Sequence, residues 1–328
     1  MKTLVLFSGG LDSSLAISLL LEQGLEVEAA NFVTPFCACQ KKGGCGVAAS
    51  AAKFKIKLHT FNVAEAYLPI LKNPKYGYGS HMNPCLDCRI LMFKKAKVFL
   101  GEIGASFITT GEVLGQRPMS QHLKAMQMIE RDSALEGLIL RPLSAKILPE
   151  TIPEKNGWVN REKLLSISGR SRKEQIEYAA QKNIIDYPCP AGGCLLTDPG
   201  FSKRLKDLFK YEPNWTLRDI SLLKLGRHFR LSPQVKLIVG RCEEENKKIE
   251  SFKTEEDLIM EVLNFSGPIS LLKGLGKDLY IPVSAGITLR YSDAPKNESV
   301  DVYIKNGEIT KNIVASSIED TQVKNYII

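Results

Sequence analysis

The sequence has no apolar run of the roughly 20 residues that a membrane-spanning helix needs. It also has no signal-peptide cleavage pattern, because the start, Met1 to Phe7, continues directly into a glycine-rich motif. Internal repeats and low-complexity tracts are absent, and the apolar and charged fractions, 44% and 24%, are those of an ordinary globular protein. These absences exclude a membrane protein and a disordered polymer, so we expect a soluble protein of the cytoplasm.

The length of 328 residues favours two domains over one. In the first half, short apolar segments alternate with helical patterns, which predicts a parallel sheet with crossover helices. The predicted strands are Lys2–Phe7, Val27–Val33, Leu58–Val63, Ser106–Thr110 and Gly137–Leu140, and the predicted helices are Ser13–Gln23, Gly46–Lys55, Cys88–Leu100 and Arg172–Lys182. We therefore expect an α/β fold with a doubly wound parallel sheet over residues 1–200.

A segment with two prolines and two glycines, Asp186 to Cys194, is predicted to be a loop that ends this domain. After it, Val235–Gly240, Tyr280–Val283 and Asp301–Ile304 are predicted strands, and Asn306-Gly307 is typical of a hairpin turn. We expect a smaller α+β domain over residues 210–328.

The clearest motif is Ser8-Gly9-Gly10-Leu11-Asp12-Ser13-Ser14, between the first strand and the first helix. Parallel α/β sheets place their ligands at such a junction. Glycines let the backbone approach a phosphate, and the serine hydroxyls and the helix N-terminus can donate hydrogen bonds to it. Because the carboxylate of Asp12 would repel phosphate, we assign it to a bridging Mg²⁺.

Neither Gly-x-x-x-x-Gly-Lys-Ser/Thr nor a helix-opening Gly-x-Gly-x-x-Gly is present. The motif instead resembles the PP-loop of ATP pyrophosphatases, whose members cleave ATP between the α and β phosphates and activate an oxygen as its adenylate. The resemblance implies that Ser8, Gly9, Gly10, Ser13 and Ser14 bind ATP. The class includes amide-forming ligases as well as tRNA thiolases, and the loop does not distinguish them.

The segment Thr110 to Gln121 resembles the Gly-Glu-x-Leu-Gly-Gln segment of tRNA 4-thiouridine synthetases, which lies beside the nucleotide and the target base. The resemblance implies that Gly111 and Gln116 contact the nucleotide, and Arg141-Pro142-Leu143 recurs in the same family. It covers about residues 1–200. A longer insertion, Ile147 to Ile167, departs from the family pattern and leaves the local geometry open.

Cys85-x-x-Cys88 is predicted at a helix start, where the helix dipole lowers the pKa of a thiol and where thiolates can bind iron or zinc. Together with Cys194, this pair resembles the branch of tRNA thiolases that carries a three-cysteine [4Fe–4S] cluster, in which one iron is free to hold sulfide. Two alternatives remain open. One is a structural zinc bound by these three cysteines and Cys189, and the other is a redox pair, Cys85 and Cys88, that carries a persulfide.

Cys37, Cys39 and Cys45 form a second concentration of sulfur after the second strand. We interpret them as a possible second metal or sulfur-handling site. Cys242 is in a strand-like run and is interpreted as structural.

The net charge of +8 is concentrated between Phe201 and Lys253, where 13 Lys and Arg face 7 Asp and Glu. Residues from about 217 to the end resemble the NFACT-R domain, an RNA-binding module also found fused to PP-loop thiolases. Lys236 and three arginines, Arg227, Arg230 and Arg241, are candidates for phosphate contacts, and His228 or Phe229 for stacking on a base.

These resemblances lead to the expectation of an ATP-dependent tRNA sulfurtransferase that adenylates a uridine carbonyl oxygen and replaces it with sulfur, at C4 in preference to C2. No THUMP-type RNA-binding region and no rhodanese-like domain are recognisable, so we expect the C-terminal domain to bind tRNA and an external donor, sulfide or a cysteine desulfurase, to supply sulfur. The alternatives are another PP-loop ligase and a non-catalytic RNA-binding or sulfur-relay protein.

Overall fold

The structure, a computed structural model, describes residues 1–37, 46–184, 187, 193–307 and 309–328. These residues form two units, Met1–Thr197 and Asp198–Ile328. The predicted loop at 186–194 lies mostly outside the described residues, as do Cys39, Cys45 and Cys189.

The first unit is built on a five-stranded parallel sheet with the strand order β3-β2-β1-β4-β5. Its strands are β1 (Lys2–Leu6), β2 (Glu26–Val33), β3 (Lys57–Asn62), β4 (Phe107–Thr110) and β5 (Ile139–Leu140). All five strands fall within or beside the predicted apolar segments. Because the chain runs outward from β1 in both directions, the crevice between the carboxyl ends of β1 and β4 is the topological switch point, where ligands of such sheets bind.

Helices cover both faces of this sheet. They are α1 (Leu11–Leu21), α2 (Val47–Lys53), α3 (Ala64–Lys72), α4 (Cys85–Glu102), α5 (Leu123–Ser133), α6 (Ile152–Lys155) and α7 (Lys173–Gln181), with short 3-10 helices at Ala145–Ile147, Arg161–Lys163 and Leu195–Thr197. Apolar residues of α1 and α2 pack with Val5 and Phe107 on one face, and those of α4 and α5 pack with Leu4 and Ile108 on the other. This confirms the doubly wound α/β fold.

The second unit contains a six-stranded antiparallel sheet with the strand order β11-β10-β8-β9-β7-β6. Its strands are β6 (Arg227–Ser232), β7 (Val235–Val239), β8 (Leu258–Val262), β9 (Ser270–Gly274), β10 (Ser299–Asn306) and β11 (Ile309–Ser316). Its helices are α8 (Pro199–Tyr211), α9 (Leu217–Leu222), α10 (Glu243–Ser251), α11 (Ile281–Arg290) and α12 (Asp320–Val323), with a 3-10 helix at Lys277–Tyr280. The smaller α+β domain is thus confirmed as a fold.

The sheet of the second unit buries apolar residues on both faces. Leu289 and Ile287 of α11 pack against one face, and Ile249 of α10 and Leu222 of α9 pack against the other. The predicted strand Tyr280–Val283 is wrong, because these residues end a 3-10 helix and begin α11. Pro282 is suited to that position, since the first turn of a helix has free N–H groups and proline removes one of them.

Within the described ranges, no helix combines the length and the apolarity that crossing a membrane requires.

Candidate active site

The glycine-rich loop follows β1 at the switch point of the parallel sheet. Gly9 has a φ of +72°, a left-handed conformation that favours glycine, and a Cβ there would lie 3.2 Å from Val47. The Ser8 and Ser13 hydroxyl oxygens are 3.3 Å apart, and Ser13 Oγ donates to the carbonyl of Gly10 over 3.0 Å. No side chain caps the start of α1, so its first N–H groups can take an anionic ligand.

Asp12 lies in the first turn of α1, and its two carboxylate oxygens have different surroundings. Oδ2 accepts a hydrogen bond from Gln116 Nε2 over 2.8 Å and lies 3.6 Å from Arg172 Nη2. Oδ1 is buried and has no hydrogen-bond partner among the residues that the structure describes. Burial raises the pKa of Asp12, while Gln116 and Arg172 act in the opposite direction. A buried carboxylate oxygen without a partner fits a ligand of a divalent cation.

Gly111 brings the end of β4 against the start of α1. A Cβ at this position would lie 2.5 Å from the carbonyl carbon of Asp12 and from the amide nitrogen of Ser13, so a side chain there would force the backbone to move. This approach places Gln116 beside Asp12, and Gln175 Nε2 of α7 in turn donates to Gln116 Oε1 over 2.9 Å. The sequence-predicted residues Asp12, Gly111 and Gln116 therefore lie together.

Arg172 and Gln175 were missed by the sequence reasoning. They lie at the start of α7, more than 150 residues after Asp12, and no motif marks them. Leu114 pairs with Ser168 in an isolated bridge, which holds the segment before α7 against the segment after β4. The insertion Ile147 to Ile167 is thus followed directly by residues of the candidate site.

A second ion-pair group lies behind Gly111. The carboxylate of Glu112 is buried and accepts from Arg141 Nε over 3.1 Å, and its other oxygen is 3.3 Å from Arg89 Nε. Burial alone would raise the pKa of Glu112, but the two guanidinium groups hold it below its usual value. Because Arg89 follows Cys88 on α4, Glu112 links the segment after β4 to the cysteine pair.

The cysteines of the two predicted groups converge in part. The helix α4 begins at Cys85, three residues before the predicted start at Cys88, so both cysteines lie in its first turn. The backbones of Cys37 and Cys194 pair in an isolated antiparallel bridge. The thiol of Cys194 lies within electrostatic range of Cys85 and Cys37, and that of Cys88 within range of Cys85 and Cys194. Cys37 therefore lies near the first group, while Cys39 and Cys45, the other members of the predicted second site, are outside the described residues.

The expected lowering of thiol pKa by the helix dipole is wrong for Cys88. Burial raises the pKa of Cys88 to about 12 and that of Cys194 to about 11. The hydroxyl of Tyr67, itself buried, is hydrogen-bonded to the sulfur of Cys88.

The donor set of these half-buried thiols suits iron or zinc in its chemistry, since a bound cation stabilises thiolates that their surroundings otherwise disfavour. Across the described ranges, however, no three His, Cys, Asp or Glu side chains are grouped in a way that could hold a metal ion. The three-cysteine ligand set stays a prediction.

Arg117 lies between the phosphate loop and the cysteines. Burial of its guanidinium and the neighbouring Arg89 lower the pKa of Arg117, while Cys85 and Asp12 act in the opposite direction. One cation is thus within electrostatic range of both the proposed nucleotide site and the thiols.

In the second unit, the structure contradicts part of the predicted RNA-contact set. His228 is 2% exposed and its Nε2 is 2.8 Å from the carbonyl of Leu225, and Phe229 is fully buried, so neither can stack on a base. Arg230 is 11% exposed and pairs with Asp207 and Glu212. The consecutive residues His228 and Phe229 are both buried because the sheet is covered on both faces.

Two of the remaining predicted cations are more accessible than Arg230, but they also have contacts. The guanidinium of Arg227 lies 4.4 Å from the ring centroid of Tyr291. The side chain of Arg241 is 49% exposed and pairs with Glu245. Lys236 is almost completely buried, near Asp207. Cys242 is exposed at the start of α10, so its interpretation as a structural residue in a strand is also wrong.

The doubly wound parallel sheet and the Ser-Gly-Gly-x-Asp-Ser loop at its switch point define a PP-loop-like α/β unit. Residues 1–147 match the family model described as Thiamine biosynthesis protein (ThiI), and residues 226–327 match the NFACT protein RNA binding domain. The recognition of both regions from their motifs is thereby confirmed.

Curated relatives carry related names. A "Probable tRNA sulfurtransferase" of Ureaplasma parvum is 32% identical over 44% of this chain and 37% of its own length. One of Mycoplasmopsis agalactiae is 30% identical over 63% of this chain and 52% of its length. The "tRNA-specific 2-thiouridylase MnmA" of Stutzerimonas stutzeri is 25% identical over 70% of this chain and 61% of its length. The chain thus spans about a third to about two thirds of the length of these relatives.

Among solved structures, a 4-thiouridine synthetase in complex with RNA and ATP is 25% identical, with a TM-score of 0.37 over 56% of this chain and 51% of that one. At this TM-score the likeness by itself defines neither fold nor function.

Proposed function

We propose that the protein is an ATP-dependent tRNA sulfurtransferase, with a catalytic domain in residues 1–200 and an RNA-binding domain in residues 210–328. One observation carries this proposal. In the phosphate loop at the switch point, Asp12 has a buried carboxylate oxygen without a partner among the described residues. Relatives named as tRNA sulfurtransferases support the substrate class.

In the proposed reaction, a uracil carbonyl oxygen attacks the α-phosphorus of ATP and pyrophosphate leaves. Sulfur then attacks the activated carbon and AMP leaves, so each tRNA gains one sulfur for each ATP consumed. Adenylation is needed because a carbonyl oxygen is a poor leaving group and AMP is a good one. Mg²⁺ held by Asp12 would neutralise charge on the phosphates.

The side chains around Asp12 have distinct roles in this scheme. Ser8, Ser13 and the first N–H groups of α1 bind the phosphates, while Gln116, fixed by Gln175, holds Asp12 Oδ2 so that Oδ1 faces the cation. Arg172, whose Nη1 is buried and unpartnered, is placed to stabilise negative charge that builds up on the departing pyrophosphate.

Sulfur delivery is assigned to Cys85, Cys88 and Cys194. A three-thiolate [4Fe–4S] cluster would supply an iron with an open position for sulfide. A four-cysteine zinc site that includes Cys189 and a persulfide on Cys85 or Cys88 are the competing arrangements. With the cluster or the zinc site, sulfide or a cysteine desulfurase supplies the sulfur. The persulfide arrangement requires the sulfane sulfur of a cysteine desulfurase, and Cys85 and Cys88 form a disulfide when that sulfur is transferred. The reaction takes place in the cytoplasm.

C4 of uridine is the favoured position. The segment Gly111 to Gln121, which resembles that of 4-thiouridine synthetases, lies directly against the phosphate loop. A 2-thiouridylase is also among the relatives, so C2 is the competing position.

Nucleoside analysis of the modified tRNA tests the proposal. Unmodified tRNA is incubated under anaerobic conditions with the protein, ATP, Mg²⁺ and sulfide, then digested and analysed by mass spectrometry with chromatographic standards for both isomers. We expect 4-thiouridine, and none with Asp12→Asn. Appearance of 2-thiouridine would keep the enzyme class and change the position, whereas unmodified tRNA would favour a different ligase or a non-catalytic RNA-binding protein.

A further inference from the structure

The basic side chains that the sequence suggests for RNA binding are largely occupied in the second unit. Arg230 pairs with Asp207 and Glu212, and Arg241 with Glu245. The buried Lys236 lies near the same aspartate. Since an ion pair must be broken or shared before such a cation can bind phosphate, these residues are poor candidates for the main contact.

The helix α8 carries a different set of cations. Lys203, Lys206 and Lys210 are exposed and follow each other at intervals of three and four residues, which places them on one side of a helix. The opposite side is formed by the buried residues Phe201, Leu205 and Leu208. Since each residue advances an α-helix by about 1.5 Å, the three ammonium groups form a row about 10 Å long.

These lysines are not neutralised locally. Throughout the described part of the chain, no carboxylate forms an ion pair with Lys203, Lys206 or Lys210. The ammonium of Lys210 lies 4.7 Å from the ring centroid of Tyr211 and feels Asp207 at longer range, but that carboxylate already pairs with Arg230. On α10, by contrast, Lys247 and Lys248 pair with Glu243 and Glu244 at the next turn.

The sheet holds α8 in place. Asp207 of α8 is bonded to Arg230 of β6, and the guanidinium of Arg230 lies 5.0 Å from the ring of Tyr211. Just after the helix, Glu212 accepts a hydrogen bond of 2.7 Å from Lys273 Nζ of β9. The arginine expected to touch RNA thus fixes the helix that carries these lysines, through an aspartate at the edge of their row.

An aromatic pair lies beside this row. Phe209 of α8 stacks on Trp215 with ring centroids 5.0 Å apart, and both rings are partly exposed. Partly exposed aromatic rings next to lysines suit single-stranded RNA, whose bases stack on them while the backbone meets the cations.

We propose that the face of α8 formed by Lys203, Lys206 and Lys210 binds the phosphate backbone of the tRNA. The inference rests on the proposed function for the identity of the RNA. It places a contact surface on a helix that precedes the region matched to the NFACT RNA-binding model, residues 226–327.

The test compares two double variants of the full-length protein, Lys203→Gln/Lys206→Gln on α8 and Lys247→Gln/Lys248→Gln on α10. Both remove two positive charges from an exposed helix, and glutamine preserves helix formation. Binding of labelled tRNA is measured by fluorescence anisotropy over a range of salt concentrations. Each phosphate contact contributes about 0.7–0.9 to the slope of log K against log salt, so the α8 variant should lower the slope by about 1.5 and the α10 variant by much less.

A second readout uses tryptophan fluorescence. The chain has two tryptophans, so Trp158→Phe leaves Trp215 as the sole emitter. We expect tRNA to change this emission, and the change to diminish when Lys203→Gln/Lys206→Gln is added at the same tRNA concentration.

Equal slopes for wild type and the α8 variant, or equal losses in the α8 and α10 variants, would overturn the assignment to α8 and leave the proposed function standing. Absence of tRNA binding by the wild-type protein would overturn both. The rate of pyrophosphate release should be the same in wild type and the α10 variant, because Lys247 and Lys248 take no part in tRNA binding or in the chemistry.

Discussion

At Gly111 the backbone after β4 lies so close to the start of α1 that no side chain fits. We predict that Gly111→Ala destabilises the fold by about 1–3 kcal/mol, because the new Cβ must push away the backbone of Asp12 and Ser13. Chemical denaturation measures the loss of stability, and calorimetric titration with an ATP analogue should show weakened binding as well.

Gly101→Ala is the matched control. This glycine lies within α4, and a Cβ there would meet nothing within 4 Å. Because alanine favours a helix over glycine by about 1 kcal/mol, the variant should be as stable as wild type or more stable, with unchanged nucleotide binding. Equal behaviour of the two variants would contradict the close approach of Gly111 to α1.

The raised thiol pKa values of Cys88 and Cys194 lead to a prediction about alkylation. In metal-free protein at pH 8, both groups are far below their pKa values of about 12 and about 11 and carry almost no thiolate. Iodoacetamide should therefore modify the exposed Cys242 before Cys88 and Cys194, as peptide mass spectrometry can show, and Cys88 should gain reactivity only in strongly alkaline solution. Rapid alkylation of Cys88 at pH 8 in the folded protein would contradict its burial as a neutral thiol.

Among single residues, those in a local motif were predictable and those brought in by the fold were not. Asp12 is recognisable because seven consecutive residues form its loop. Arg172 and Gln175 reach it only through the path of the chain after β5, which no local pattern encodes. The helix start was expected to lower the pKa of the Cys88 thiol, but burial raises this pKa and outweighs the helix dipole.

For the elements, α8 and the strands β6 and β9 depend on buried ion pairs. We predict that Arg230→Ala destabilises the second unit by about 1.5–3 kcal/mol, since it removes charged hydrogen bonds to Asp207 and Glu212, which keep only Lys236 and Lys273 as cations. Arg241→Ala removes a partly exposed pair between neighbouring turns and should cost well under 1 kcal/mol. Denaturation curves of the two variants distinguish these roles, and similar small losses would show that Arg230 is not an anchor.

The parallel strands of the first unit were predicted nearly to the residue, because strands buried on both faces are continuous apolar runs bounded by polar turns. The antiparallel strands were harder. Residues Arg227 to Ser232 mix charged, aromatic and apolar side chains, and the sequence suggested that their cations bind RNA. In the structure Arg227 lies against Tyr291, and Arg230 pairs with Asp207 and Glu212. At Tyr280–Val283 an apolar pattern of four residues was too short to separate a strand from a helix start.

At the scale of the whole molecule, the sequence motifs do not decide how sulfur is delivered, because the cysteines suit a cluster, a zinc site or a persulfide. We predict that protein purified without oxygen contains about four irons per chain, the content of one cubane cluster. Ala at Cys85, Cys88 or Cys194 should remove iron and thiolation together, while Cys242→Ala should remove neither. Iron and acid-labile sulfide analysis is the measurement.

The variant Cys189→Ala distinguishes the three-cysteine cluster from the four-cysteine zinc site. A cluster with three protein ligands does not need this residue, whereas a closed four-cysteine zinc site would lose its metal. Stoichiometric zinc without iron, together with full thiolation from sulfide, would exclude the cluster and leave the adenylation step unaffected.

The identity of the ATP products tests the central claim, adenylation of tRNA at the Asp12 loop, most directly. Radiolabelled ATP is incubated with protein, Mg²⁺ and unmodified tRNA, and the products are separated by thin-layer chromatography. We predict AMP and pyrophosphate, with a rate that depends on tRNA and falls by at least a hundredfold in Asp12→Asn, by analogy with the loss of about 3 kcal/mol when one transition-state contact is removed. Formation of ADP and phosphate, or turnover that Asp12→Asn leaves unchanged, would contradict the account.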